Sequence, residues 1–305
     1  MRRYRNFVAI VEAGSISKAA GLLHIAQPAL TQQVQALEAD LGVKLLERNS
    51  KGVVPTDAGR LFFDRAQMLL RLASSIRQDV SYLDQHPSGP VKIGIPTSTA
   101  ILLAVPLVEA VRQAYPDIVL SVLTGVSGSL EERLHAGHLD MAILSQAARP
   151  GLHLEWIYEE ALYLAAPVAL PLEEPFPLAA IESVPLILPS ATLGIRSLLD
   201  SAFARAGVAP HVVAEVDGSI PTTNALVRRG VGCSIVPWAT IAEDVARGDI
   251  KGIRLTPHLW RAVALCRAVV PPLPRAAAAV FKLIKQVSRA QAESLAPAGS
   301  LRLKD

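Results

Sequence analysis

The chain has 305 residues, about half of them hydrophobic, with few aromatics and moderate charge. That length accommodates two or three compact units with sizeable cores. The nearest thing to a membrane span, ALYLAAPVALPL, is short and broken by Pro167 and Pro171. Charge is unevenly placed: residues 1–60 hold eight Lys/Arg and five Asp/Glu, which is the whole of the +3 excess. A basic front on a neutral body points to a nucleic-acid reader joined to something else. Two cysteines, Cys233 and Cys266, make neither a disulfide framework nor a zinc site. The opening MRRYRNFVAIVEAG lacks the apolar core of a signal peptide, so a reducing, cytoplasmic location with no membrane partner is expected.

In chain order, NFVAIVEAG reads as a supporting helix that buries Phe7, Ile10 and Val11. GSISKAAGLLH reads as a short helix capped by Ser17, with Ala20 and Leu23 inward; Ala20 is small enough to let another helix cross closely. A tight turn, HIA, leads into the glutamine-rich stretch IAQPALTQQVQALEADLG. There Leu30, Val34, Leu37 and Leu41 recur at 4-3-4 spacing, one face of a helix. Pro28 fits the first turn, where its missing N–H costs little. Gln27, Pro28, Thr31, Gln32 and Gln35 are left for the other side or the exposed end. Two short helices, a tight turn and a polar second face make a helix-turn-helix. Glutamine amides donate and accept together, which suits adenine N6 and N7. ERNSKGVVPT then gives a hairpin turning at Ser50-Lys51-Gly52, whose Arg48, Ser50 and Lys51 can meet phosphates.

PTDAG starts a long helix over 57–86, with Thr56 as cap and Asp57 on the positive dipole end; QHPSGP stops it. Its apolar seam, Phe62, Ala66, Leu69, Ala73, Ile76, Val80 and Leu83, steps by 4 and 3. That rhythm predicts packing against a partner helix, the same helix of a second copy.

After Gly89 the pattern changes to strands alternating with helices. VKIGIPTSTAILLAVPLVEAVRQAYPDIVLSVLTG and VPLILPSATLGIRSLLDSAFARAGVAPHVVAEVDG share a plan, offset by roughly ninety residues. Two lobes with mainly parallel sheets are expected, with a ligand cleft outside the carboxyl ends of their strands. Segments near 155–167 and 258–270 cross between the lobes, RAAAAVFKLIKQVS closes the domain, and the tail from 297 to 305 frays. The expected division is 1–58, 59–88 and 89–296, with lobe I at 89–163 plus 268–296 and lobe II at 164–267.

Hydroxyls cluster at the expected helix starts: Thr97, Ser98 and Thr99; Ser127 and Ser129; Ser190 and Thr192; Thr222. Helix N-termini with hydroxyls favour anions, so a small organic anion is the expected effector. No lysine or arginine clearly joins these loops, Arg196 being the nearest anion partner. GVGCS and GVSGS do not form a G-x-S-x-G elbow, and neither a P-loop nor H-E-x-x-H occurs. His135 and His138, three apart on an expected helix, lack a third ligand. Catalytic residues, metal and cofactor are therefore not expected. The competing readings are a solute-binding protein with a helical appendage and an α/β enzyme.

The N-terminal stretch FVAIVEAGSISKAAGLLHIAQPALTQQVQALEADLGVKLLERNSKGVVPTDAG resembles the LysR-type transcriptional regulators. Ser15, Ala19, Ala20, Leu23, Gln27, Pro28, Leu30, Leu37, Glu38, Leu41, Gly42, Leu45, Arg48, Thr56 and Gly59 stand where that family has its signature. The AQPALTQQ wording looks most like the nitrogen-assimilation-control branch. The resemblance implies an α+β architecture: a winged helix-turn-helix, a dimerising linker helix and a two-lobed α/β effector domain like a periplasmic binding protein. It also implies double-stranded DNA, a small effector, homodimers or homotetramers and RNA polymerase as partners. Thr31 departs from the family's frequent Ser, Gln32 from its Arg or Lys, and Leu46 from its Phe.

Overall fold

The computed structural model describes residues 1–49, 52–81, 86–145, 150–190, 194–270, 272–295, 297 and 299–303. The chain divides into two compact units, Met1–Gln85 together with His135–His138, and the remainder. Among the described residues no helix is long and apolar enough to cross a membrane.

The first unit comprises α1 (Arg2–Ala13), α2 (Ile16–Leu23), α3 (Gln27–Leu41), β1 (Leu46–Asn49), β2 (Gly52–Pro55) and α4 (Asp57–Ser81). Ser15, not Ser17, caps α2: its Oγ accepts from the Lys18 N–H at 3.4 Å. Ile16 is buried in the core, so the helix must already have begun there, and Ser17 falls inside it. Leu30, Val34 and Leu37 hold α3 against Ile10, Phe7 and Leu45, as the spacing predicts. Leu41 does not join them. It lies on the final turn, Gly42 (φ 70) redirects the chain immediately after it, and its side chain is 46% exposed.

The wing is fixed by backbone approach. The Gly14 carbonyl accepts from the Val53 N–H at 3.0 Å, and a Cβ on Gly52 would lie 2.3 Å from that same oxygen. Thr56 staples the start of α4: its Oγ1 donates to the Lys44 carbonyl at 2.7 Å and accepts from the Gly59 N–H at 2.9 Å.

The α4 seam divides rather than facing one way. Phe62 makes edge-on ring contacts with Tyr4 and Phe7, at centroid distances of 5.2 and 5.0 Å. It is held within the unit's own core, because three aromatic rings pack better against each other than in a leucine-type seam. Ala66 is buried and Ala73 half-buried. Leu69 and Ile76 are exposed, together with Leu61 and Leu72. Leu83 and the side chain of Val80 lie outside the described residues.

The second unit runs β3 (Gly89–Pro96), α5 (Thr97–Ala114), β4 (Ile118–Gly125), α6 (Ser127–His135), β5 (Met141–Leu144), β6 (Leu152–Pro167), β7 (Phe176–Pro177), β8 (Pro185–Leu188), α7 (Gly194–Ala206) and β9 (His211–Glu215). It continues with α8 (Ile220–Arg228), β10 (Ser234–Pro237), α9 (Ala242–Ala246), β11 (Ile250–Thr256), β12 (Trp260–Ala268), α10 (Arg275–Leu295) and β13 (Leu301–Leu303). Strands β4, β3 and β5 are parallel, as are β8 and β9. The strands that join the lobes are antiparallel: β6 pairs with β12, β10 and β11. Parallel pairing thus holds within each repeat and fails at the crossings, where the chain passes out on one strand and back on its neighbour.

Lobe I is built on Ile93, Ile95, Leu103, Leu107, Ile143 and, from α10, Val280 and Ile284. Lobe II is built on Leu164, Leu186, Leu188, Leu199, Phe203 and Ile235. On β6, Tyr158 belongs to the first core and Leu162 to the second. Val263 and Leu265 of β12 already belong to lobe I, so the return boundary falls near Trp260 and not at 267. Within the 297–305 segment, residues 301–303 differ from expectation as well. Leu301 to Leu303 pair antiparallel with Glu160 to Tyr158 of β6, and the Arg302 guanidinium lies 3.8 Å from the Trp260 ring centre. A ladder and a cation–π contact hold what composition alone marks as loose. His138 lies beyond the end of α6, so it does not share a helix face with His135.

Candidate functional site

Two surfaces carry the residues singled out by sequence. On the first unit, Gln27, Pro28, Gln32 and Gln35 are exposed on α3 and Thr31 is half-buried. Gln33 is spent internally: its Oε1 accepts from Asn6 Nδ2 at 2.5 Å, which fixes α3 to α1. Arg3 pairs with Asp40 at 2.7 Å across the same two helices. Glu38 is nearly buried and accepts from Lys44 Nζ at 2.8 Å and from the Leu45 and Leu46 N–H groups at 2.8 and 3.2 Å. Burial opposes its ionisation, but these three donors together outweigh burial and hold the carboxyl below its usual range. The carboxylate thereby locks the end of α3 to the wing. Ser50, Lys51 and the side chain of Arg48 lie outside the described residues.

The second surface is a cavity of about 120 Å³ between the lobes. Four helices open onto it by their first turns: α5 with Thr97 and Ser98, α6 with Ser127, α7 with Gly194 and Ile195, and α8 with Ile220 and Thr223 beyond its cap Ser219. No side chain caps α5, because β3 runs through Pro96 straight into the helix. The first-turn N–H groups and the helix dipoles favour negative charge at this place. Ser127 and Ser145 face each other at 3.1 Å. The lobe II wall is mainly apolar, with Ile187, Ile195, Val216, Ile220 and Val236.

Arg261 is the cation that sequence reading missed. It lines the cavity from β12 while only 3% exposed. Its Nε donates to Glu160 Oε1 at 3.0 Å, its Nη2 bonds the same oxygen, and its Nη1 donates to Ser98 Oγ at 2.8 Å. The available signal was a charged residue inside the apolar run WRAVALCRA. Its meaning depends on which way that strand position faces, and period-two alternation does not settle this at a crossing.

Among the described residues, Thr99, Ser129, Ser190 and Thr222 are not part of the cavity's lining. Thr99 is buried, and its Oγ1 has no partner among the described residues. Ser129 and Thr222 are exposed, Thr222 bonding its own cap Ser219 at 2.7 Å. Ser190 donates from N and Oγ to Asp217, both at 2.8 Å. Thr192 lies outside the described residues. Arg196 donates from Nε to Asp200 and from Nη1 to Glu215 and the Pro189 carbonyl, all within its own lobe. The hydroxyls of Ser190 and Thr222 thus serve local turn and cap bonds.

Comparison with known proteins agrees with this architecture. Residues 1–60 match the bacterial regulatory helix-turn-helix protein, lysR family, and residues 84–289 match the LysR substrate binding domain. The nitrogen assimilation regulatory protein nac of Escherichia coli (strain K12) is 36% identical over 256 residues, 82% of each chain. The nac protein of Klebsiella aerogenes is 31% identical over 299 residues, 96% of this chain and 97% of that one. Full-length CbnR complexed with its target DNA superposes with a TM-score of 0.66 at 27% identity, covering 94% of this chain and 99% of that one. The nitrogen-assimilation-control wording read in AQPALTQQ agrees with these relatives. The chain belongs to the LysR family: it is a DNA-binding transcriptional regulator with an effector-binding domain.

Proposed function

We propose that the cavity takes a small organic acid, and that its occupancy sets how a pair of α3 helices engages two half-sites of promoter DNA. The observation that carries this reading is the convergence of four helix N-termini and Arg261 on one small cavity. Lobe I offers hydroxyls and the arginine; lobe II offers Ser219, Thr223 and Ser234 within a mainly apolar wall. The effector is therefore amphipathic, a carboxylate on the Ser98 and Ser127 side with a hydrocarbon or ring body against Ile195 and Ile220. At about 120 Å³ the cavity is somewhat smaller than the roughly 150 Å³ that takes benzene, so it suits a compact acid. Bound effector draws the two lobes together and shifts the equilibrium between two assemblies.

On DNA, Gln27, Gln32 and Gln35 reach base edges while Pro28 and Thr31 make close contacts. Arg48, Ser50 and Lys51 serve the phosphates. The exposed Leu69 and Ile76 of α4, with Leu61 and Leu72 beside them, take the α4 helix of a second copy, giving the dimer that two half-sites require. The protein acts in the cytoplasm, bends its promoter and contacts RNA polymerase from there.

Thermal unfolding of the full chain against aromatic and aliphatic monocarboxylates, each beside its neutral amide, tests the effector assignment. Acids raise the transition temperature, amides do not, and Ser98→Ala reduces the response. A set of acids with no effect at any concentration would overturn it.

A further inference from the structure

The hydroxyls that line the cavity differ in which way their hydrogen bonds run. On the lobe I side, Ser98 Oγ accepts from Arg261 Nη1 at 2.8 Å, and among the described residues it donates to no protein acceptor. Its hydrogen is left for a ligand. Ser127 and Ser145 share one hydrogen at 3.1 Å, so the pair keeps a second one to donate. The first-turn N–H groups of α5, which no side chain caps, add donors. Thr97 is the exception on that side, its hydroxyl donating to the Gly125 carbonyl at 3.4 Å. On the lobe II side the direction reverses. Ser234 is buried and donates to the Ile187 carbonyl at 2.8 Å; Thr223 is buried and donates to the Ser219 carbonyl at 3.2 Å. Each has spent its only hydrogen on backbone and keeps lone pairs alone. The start of α8 adds few donors, since Pro221 has no N–H and the Thr222 N–H is taken by Ser219 Oγ.

A carboxylate accepts and does not donate, so it satisfies the lobe I end and leaves the lobe II lone pairs bare. Acceptors left without a donor in a closed cavity weaken binding. The second polar group of the effector therefore carries a hydrogen. Ammonium is one such group, but among the described residues lining the cavity none is Asp or Glu. Glu160 is already matched by Arg261. A desolvated cation without a counter-charge loses more than its hydrogen bond returns. Resting on the reading of this cavity as the acid site, we propose that the effector is a hydroxy acid whose hydroxyl stands at the end opposite its carboxylate. The hydroxyl donates to Ser234 or Thr223, and the carboxylate accepts from Ser98 and the Ser127–Ser145 pair. A 2-hydroxy acid, with both groups at one end, does not meet both walls.

Calorimetric titration of the full chain with propionate, 3-hydroxypropionate, butyrate, 2-hydroxybutyrate, 4-hydroxybutyrate and 4-aminobutyrate tests this. In at least one of the two lengths the terminal hydroxy acid binds about fivefold more tightly than its parent, the gain of one neutral hydrogen bond. Neither 2-hydroxybutyrate nor 4-aminobutyrate exceeds butyrate. Thr223→Val with Ser234→Ala brings the hydroxy-to-parent ratio to near one, whereas Thr223→Ser keeps it. Should the double variant fail to fold, the two single variants carry the test, one of them lowering the ratio. Parent acids that bind as tightly as their terminal hydroxy acids overturn this inference and leave the acid site standing. A ratio unchanged in the variants, or 4-aminobutyrate as the tightest ligand, does the same. If no compound gives heat at millimolar concentration, the acid site itself fails and this inference with it.

Discussion

Arg261 and Glu160 sit directly opposite each other on the β6–β12 ladder, at the point where the chain passes between lobes, and Arg261 reaches on to Ser98 at the first turn of α5. A nearly buried ion pair at a crossing ties the cavity between the lobes to both connecting strands. Removing one partner of such a pair costs about 3–5 kcal/mol, because the other charge is left without compensation. Arg261→Ala is expected to destabilise the effector domain by that order. Glu160→Gln combined with Arg261→Gln restores most of the loss but abolishes the response to acids. Urea unfolding and acid titration of the three proteins separate the two effects.

The Glu38 carboxyl titrates below its usual range in the folded chain. A lowered folded pKa gives stability that is fully present above the unfolded value and lost as pH falls through the folded one. The α3–wing junction is therefore expected to weaken below about pH 4.5, the ordinary value for this group. Glu38→Gln should lower stability at pH 7 by about 1–3 kcal/mol, the cost of poorly satisfied buried amides, and remove this part of the acid sensitivity. Circular dichroism of both proteins from pH 3 to 7 checks it.

Gly59 lies in the first turn of α4 where a Cβ would stand 1.9 Å from the Leu45 carbonyl oxygen. Helix propensity alone favours alanine over glycine by about 1 kcal/mol. Here the contact is with backbone that Thr56 also holds, so nothing flexible can give way. Gly59→Ala is expected to destabilise the first unit by more than about 2 kcal/mol and to weaken DNA binding in proportion. Equal or greater stability would show that the α4 start can shift.

The cysteines lie deep in the two lobes, and burial pushes the thiols of Cys233 and Cys266 up to about 11 and about 12. Thiolate is the reactive form. Iodoacetamide at pH 8 is therefore expected to leave both unmodified in the folded protein and to label both after denaturation. Fast labelling of either in the native state would contradict the burial found here.

Much of this was legible because it depends on local periodicity. Leu30, Val34 and Leu37 announce the inner face of α3, and the glutamines follow as what remains. Thr56 as cap and the helix starts around the cleft are short-range signals that composition preserves. What was not legible depends on register and tertiary approach. Arg261 needs the β6–β12 pairing before its direction is known. The tail needs the open edge of β6 at Glu160. Phe62 fits a seam by spacing and is claimed by Tyr4 and Phe7 instead. Ser17 fits as a cap by sequence, and only the helix start at Ile16, with the Ser15 hydroxyl on the Lys18 N–H, corrects it.

The central claim is that the exposed glutamines of α3 read the operator. Fluorescence anisotropy of the full chain on its own upstream DNA, beside a scrambled duplex, measures it most directly. Gln27→Ala and Gln32→Ala are each expected to cost about 1–3 kcal/mol on the operator, roughly 5- to 150-fold, with little change on the scrambled duplex. Lys51→Ala, as the phosphate control, weakens both alike and lowers the salt slope. Operator affinity untouched by both glutamine replacements would contradict the claim.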